Sequence, residues 1–207
     1  MRDDLERYWL ELADVSRHMP MSLIVRAASM LLDCRRRRGT VFVIGNGGSA
    51  ATASHFACDL AKGTRIDGVP AFRVIPLTDN MPLVTAWAND ASFESVFSEQ
   101  LAALVEEGDV VVVITASGNS PNIVAAAHTA RERGAATIAL TGRTGGRVRS
   151  LAHLTIAVPS DRIELVEDAH SATTHSICVA LRAHMGSTEL VERARPSGEA
   201  VMADVAL

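Results

Sequence analysis

The chain has 207 residues, 48% of them apolar but only 4% aromatic, and a formal net charge of −4. That length suits one α/β domain with a proper core, and the slight acid excess gives no electrostatic reason to expect nucleic acid or an anionic membrane as partner. No apolar run reaches the about 20 residues of a membrane-spanning helix. Met1 is followed by Arg2-Asp3-Asp4-Leu5-Glu6 without the apolar segment of a secretory signal. Three cysteines, Cys34, Cys58 and Cys178, have no paired spacing, which fits a reducing cytoplasm.

Leu5, Trp9, Leu10, Leu12 and Ala13 recur at helical spacing over residues 3–18. Pro20 interrupts, and a second helical pattern runs from about Ser22 to Arg37. The run Arg35-Arg36-Arg37-Arg38 reads as a solvated helix C-terminus, where cations suit the helix dipole. Residues 1–38 thus form an N-terminal helical extension that would cover a sheet edge or pair with another subunit.

Val41 to Ile44 have strand character and lead into the turn Gly45-Asn46-Gly47-Gly48-Ser49 and an Ala-rich helix. Ser49 is the expected N-cap of that helix. Free N–H groups and the positive dipole end favour an anion such as phosphate above the turn. One turn on, His55 and Asp59 are four residues apart and share a helix face, as a proton-transfer or metal-binding pair would. Cys58 could also reach a metal there, but a buried apolar thiol is the favoured reading.

Lys62-Gly63 ends this helix, and Ala71 to Ile75 is a second strand. Thr78-Asp79-Asn80 starts a helix that ends at Asn89-Asp90, and another passes through Phe93, Val96, Phe97 and Leu101. Val110 to Ile114 is a continuous apolar, β-branched run, as a strand buried on both faces requires. It enters the loop Thr115-Ala116-Ser117-Gly118-Asn119-Ser120, and Pro121 opens the next helix. Ala136 to Leu140 and Leu154 to Val158 are further strands, with a short helix near Gly146 to Leu151 between them. A long helix over about Arg162 to His184 closes the domain. Alternating strands and helices predict a doubly wound, five-stranded parallel sheet over residues 39–185, whose ligands bind beyond the strand carboxyl ends. Residues 186–207, with Pro196, Ser197 and Gly198, read as a weakly structured tail.

Both Gly/Ser-rich loops follow strand carboxyl ends. Neither fits a Walker nucleotide loop, because no Lys-Ser/Thr follows Gly45-Asn46-Gly47-Gly48-Ser49, nor is that turn a G-x-G-x-x-G. A hydroxyl-rich cradle without lysine suits a sugar phosphate at least as well as a nucleotide. The closing helix is dense in polar groups. Glu164 and Asp168 read equally well as a solvated acidic face, and His175, taken alone, as a core histidine. At 100° per residue Glu164, Asp168 and His175 share a narrow stripe, with Glu167 about 80° from His175.

The segments GNGGSAATASHF, AND, SGNSPNIVAAA and VEDAH with the later His175 resemble the phosphoheptose isomerases, a branch of the sugar isomerase (SIS) domain proteins. The likeness runs from about residue 5 to 184. It implies a homotetramer with active sites between subunits, and aldose–ketose isomerisation of sedoheptulose 7-phosphate, generally with bound zinc. Residue by residue, it places Asn46, Gly47, Gly48 and Ser49 on the substrate loop, with Asn89 and Asp90 as the family's Asn-Asp pair. Thr115, Ala116, Ser117 and Ser120 fall on the phosphate loop, so that residues 45–49 line the sugar instead. His55, Asp59, Glu167 and His175 fall on the metal set, with Glu167 also touching substrate, Asp59 as the catalytic base and His175 as the acid.

Two positions depart from the family: Asp59 stands for its Glu, and Glu167 for its Gln. The base is shorter by one methylene, and the extra negative charge predicts tighter divalent-metal binding and a less Lewis-acidic ion. Helical periodicity nominates Glu164 or Asp168 as the partner of His175, whereas the family spacing nominates Glu167. Two other readings are a non-catalytic SIS protein that binds a sugar phosphate or a protein partner, and an isomerase of another sugar phosphate.

Overall fold

A computed structural model describes residues 1–194. Two helices, α1 (Arg2–Arg17) and α2 (Met21–Arg36), precede the first strand. The parallel sheet has the order β2-β1-β3-β4-β5, with β1 (Thr40–Gly45), β2 (Arg73–Pro76), β3 (Val110–Thr115), β4 (Ala136–Thr141) and β5 (Leu154–Ala157). Every residue of β1 and β3 is buried, as their unbroken apolar runs require in a sheet covered on both faces. In register, Val41 faces Val110 and Gly45 faces Ile114, which brings the two carboxyl-end loops side by side.

One core layer joins α2, α3 (Gly48–Cys58) and α7 (Ile163–Ala194) to the sheet through Leu31, Phe56, Val43, Val112 and Leu181. The other face is covered by α5 (Ser98–Leu104) and α6 (Pro121–Glu132), with Phe97, Leu101 and Ile123 packed on Phe42 and Val113. α4 (Met81–Asp90) leads into this layer, capped by Asn80, whose side chain accepts from the Leu83 amide. The expected helix from Phe93 is split, since a 3-10 turn at Phe93–Ser95 precedes α5. The segment after β4 is likewise a 3-10 turn, Arg147–Ser150.

The N-terminal helices pack on the domain, α2 lying in the core layer that includes Leu154 and Ile156 of the edge strand β5. α2 contributes Ile24, Ala27 and Leu31 to the same core as the strands, and α1 docks on α7 through Val15, Leu12 and Tyr8. Leu5, Trp9 and Leu10 of α1 are exposed. Arg35 finishes α2 as a helix-terminal cation, stacked over Phe72 and donating to the Pro70 carbonyl. α7 continues to Ala194, past the expected end at His184, so the first part of the expected tail is helix, and residues 195–207 lie outside the described residues. Among the described residues no helix is long and apolar enough to cross a membrane.

Candidate active site

The turn after β1 starts α3 two residues earlier than expected. Gly47, at φ 55°, is the N-cap and Gly48 the first helical residue, so Ser49 is buried inside the first turn rather than capping it. A positive φ is open to glycine at little cost, which lets the chain leave the strand sharply. The turn is tied to the second loop by a reciprocal amide pair. Asn46 Nδ2 donates to Asn122 Oδ1 at 2.9 Å, and Asn122 Nδ2 donates back to Asn46 Oδ1 at 2.8 Å. Asn122 has no place among the residues that the sequence nominates. No sequence signal marks it, because its burial to 1% exposure, which obliges the amide to find a partner, is set by the fold.

The loop after β3 is built as expected, with Ser120 as N-cap and Pro121 opening α6. Ser120 makes no capping bond with its side chain, and Ser117 is exposed. Thr115 is turned inward, its Oγ1 accepting from the Gly118 amide at 3.2 Å. Behind this loop stand residues 142–146. Gly118 (φ 66°) lies so close that a Cβ there would run into the Gly145 carbonyl, and Gly142 donates to the Ala116 carbonyl at 2.9 Å. Asn119 Oδ1 accepts from the Arg147 amide, fixing the same two loops together.

From the first turn of α3 a file of polar groups runs down its contact with α7. The Glu167 carboxylate lies against Gly48. Four residues on, Ser171 Oγ is 3.5 Å from Thr52 Oγ1. Four further on, His175 Nε2 is 3.6 Å from Asp59 Oδ2, which is also 3.6 Å from His55 Nε2. The two imidazoles meet edge to face with centroids 4.9 Å apart. Steps of four residues drift by about 40° on a helical wheel, yet they follow the ridge along which crossed helices pack. That drift explains why Glu167, about 80° from His175 on the wheel, faces α3 while Glu164 and Asp168 do not. Asp168 instead accepts from Tyr8 Oη of α1 at 2.6 Å, and this bond first and burial second push the tyrosine up to about 12.

His175 is exposed, not a core histidine; the buried one is His170. Cys58 is exposed as well, contrary to its expected burial, because it falls at the end of α3 off the packed face that carries Ala53, Phe56 and Ala57. Cys178 is the buried thiol of this region, and burial, then the charge of Asp59, push it up to about 12, so it is a protonated packing group. Asp59 opens a five-residue π-helical turn, Asp59–Gly63, closed by the Thr64 amide on the Asp59 carbonyl at 3.0 Å. Such turns are rare and recur at functional positions.

The ligand atoms of His55, Asp59 and His175 lie within 4.8 Å of one another. Around a tetrahedral zinc at about 2.0–2.2 Å, ligand atoms are about 3.3 Å apart, so the two 3.6 Å separations fit such an ion. Two imidazoles and one carboxylate with an open position are a usual zinc donor set. Glu167 is not in this cluster; its place over Gly48 takes its carboxylate to the far end of the file. Asn89 and Asp90 stand exposed at the end of α4, bonded to each other at 2.7 Å rather than to either loop.

A doubly wound sheet with two Gly/Ser loops at its carboxyl end and a two-helix polar file beside them defines a class, and residues 8–142 match the SIS domain family. The chain is 39% identical to a phosphoheptose isomerase of Pelobacter propionicus over 79% of its own length and 86% of that relative's. It is 40% identical to one of Geobacter sulfurreducens over 75% and 82%. The structure of a phosphoheptose isomerase from Neisseria gonorrhoeae superposes with a TM-score of 0.81 at 31% identity, covering 88% of this chain and 98% of that one. This chain belongs to the phosphoheptose isomerase family of SIS-domain proteins.

Proposed function

We propose that the protein is an aldose–ketose isomerase that interconverts sedoheptulose 7-phosphate and a D-glycero-heptose 7-phosphate. The observation that carries this reading is Asp59 Oδ2 held 3.6 Å from both His55 Nε2 and His175 Nε2, at the end of the polar file between α3 and α7 that begins where Glu167 meets Gly48. Family membership supports the substrate class, because its relatives at 39% and 40% identity are phosphoheptose isomerases.

The phosphate is held by Ser117, Ser120 and the N–H groups opening α6, where hydroxyls and a helix dipole meet an anion. Asn46, Gly47 and Gly48 line the sugar, with Ser49 setting the turn beneath them. Asp59 removes the C1 proton of the ketose, and those electrons form the C1–C2 double bond as the C2 oxygen takes a proton from His175. The enediol then returns its O1 proton to His175 while Asp59 delivers its proton to C2, leaving the aldose. Positioned acid–base pairs of this kind contribute about 10²–10⁴-fold each. His55, Asp59 and His175 would hold a zinc ion, which supplies charge stabilisation at the sugar oxygens. Incomplete burial of the Asp59–His175 end, together with the exposed apolar faces of α1, α2 and α7, supports a homotetramer whose subunits complete one another's sites. Asn89 and Asp90 contribute to the site in that assembly.

Incubation with sedoheptulose 7-phosphate, followed by NMR for a new anomeric signal, tests the reading. Turnover is expected in the wild type and a loss of at least about 10²-fold in Asp59→Asn and in His175→Ala. An inert wild type, or an unimpaired Asp59→Asn, would overturn it. Elemental analysis addresses the metal separately: His55→Ala is expected to lose bound zinc, and turnover that survives complete zinc removal would take the ion out of the mechanism.

A further inference from the structure

Beside the Asp59–His175 pair, the contact of α7 with the Asp59–Gly63 turn opens into a pocket of about 210 Å³. It is lined by Asp59, Gly63, His175, Cys178, Val179 and Arg182. On α7, Arg182 returns to within about 20° of the His175 face, about two turns further along. Its Nη1 donates to the carbonyl of Gly63 at 3.4 Å, and Gly63 is the last residue of the π-turn that Asp59 begins. Gly63 in turn stands against Asp59, since a Cβ on it would lie 3.7 Å from Asp59 Oδ1. The Asp59 carboxylate is shared between the two histidines rather than paired with the arginine. Among the described residues lining the pocket, Arg182 alone carries a fixed positive charge, and Cys178, held protonated by burial, adds no charge of its own. At 3.4 Å the bond to Gly63 is weak, and it uses one of several guanidinium donors. An exposed cation thus stands in the same pocket as the acid–base pair, lightly held.

We propose that Arg182 is a catalytic residue of the isomerisation, its guanidinium hydrogen-bonding the sugar oxygen on which negative charge develops. The inference rests on the reading of Asp59 and His175 as the acid–base pair, which puts C1 and C2 of the sugar in this pocket. As Asp59 takes the C1 proton, the C–H electron pair becomes the C1–C2 double bond and the C2 carbonyl pair moves onto oxygen. That oxygen is negative until the proton of His175 reaches it. A cation aimed at it holds the charged oxygen more strongly than the ground-state carbonyl, and only that difference accelerates the step. To make the contact, Arg182 exchanges its weak bond to the Gly63 carbonyl for a charge-assisted one. Its side chain is exposed, so the exchange disturbs no core packing.

Two ligands separate this role from a merely structural one, with binding measured by calorimetry on the full chain at equal zinc content. The hydroxamate of a phosphorylated sugar acid carries the planar, anionic oxygens of an enediolate, and the matching phosphorylated sugar alcohol lacks that charge. Arg182→Ala is expected to bind the hydroxamate at least about tenfold more weakly than wild type, and the sugar alcohol within about twofold. Arg182→Lys, which keeps the charge, should recover part of the loss. Turnover of sedoheptulose 7-phosphate by Arg182→Ala should fall by about 10–10²-fold in kcat, with KM nearly unchanged. Equal weakening of both ligands would make Arg182 a support for the Asp59–Gly63 turn, and weakening of neither would make it a surface arginine; each result overturns the inference. An inert wild type would overturn the isomerase reading and the inference with it. An active wild type matched in rate by Arg182→Ala would overturn the role of Arg182 alone.

Discussion

His170 lies on the buried face of α7 at 1% exposure, and neither ring nitrogen has a hydrogen-bond partner among the described residues. Burial lowers it to about 4, with the nearby Thr141 backbone opposing the shift. Because the folded value is below the ordinary histidine value of about 6.5, the imidazole is neutral in the fold and takes up its proton more readily once unfolded. Its contribution to stability is therefore complete above about pH 6.5 and is lost as the pH falls from there toward 4. The full loss corresponds to about 3 kcal/mol, taken as an order of magnitude. Thermal melts of wild type and His170→Leu between about pH 7 and 4 should show a much shallower decline in the variant. Parallel declines would assign the acid sensitivity to other groups. An orphaned imidazole on the same helix as a site histidine is also a reason to read pH–rate profiles of this enzyme against a stability control.

The loop after β3 depends on how closely two backbones approach. At Gly118 both terms act together, a φ of 66° and a Cβ that would meet the Gly145 carbonyl, which is backbone and cannot swing aside. At Gly47 only the first acts, since nothing stands within 4 Å of an added Cβ. Gly47→Ala is expected to cost about 1–2 kcal/mol through backbone strain. Gly118→Ala should cost more, about 2–4 kcal/mol, and displace residues 115–120. Urea unfolding midpoints would rank the two, and equal costs would mean the loops part without penalty.

The strands and the order of elements were legible at this scale because unbroken runs such as Val110–Ile114 and the Ser120-Pro121 start are local signals. The π-turn at Asp59, the inward turn of Thr115 and the Asn46–Asn122 pair were not, because propensity and spacing do not specify which partner a polar group finds, and Asn122 lies 76 residues from Asn46. Cys58 and His175 misled for a related reason. Helical spacing tells which residues share a face, but not which face the neighbouring helix covers.

Across the molecule the apolar surface is unevenly shared. Trp9 is 68% exposed, Met21 62%, Val25 59% and Val179 58%, and they stand on α1, α2 and α7. Between α2 and α7 a groove of about 270 Å³ is lined by Met21, Val25, Leu32, Ile177 and Leu181. Exposed apolar groups scattered singly need no explanation, but a continuous groove with large residues at its rim is the form an interface takes. Covering each such side chain is worth about 1.5–3 kcal/mol, enough to hold subunits together once several are buried at once. His55 and His175 are both exposed, so the polar file is open to a group from a second subunit. Light scattering should therefore give a mass near four times 22.0 kDa for the wild type. Val25→Glu, which sets a charge in the groove and touches no site residue, should reduce that mass and reduce turnover with it. A wild type that is monomeric, or a dissociated Val25→Glu that isomerises at the full rate, would show that one chain suffices for the site.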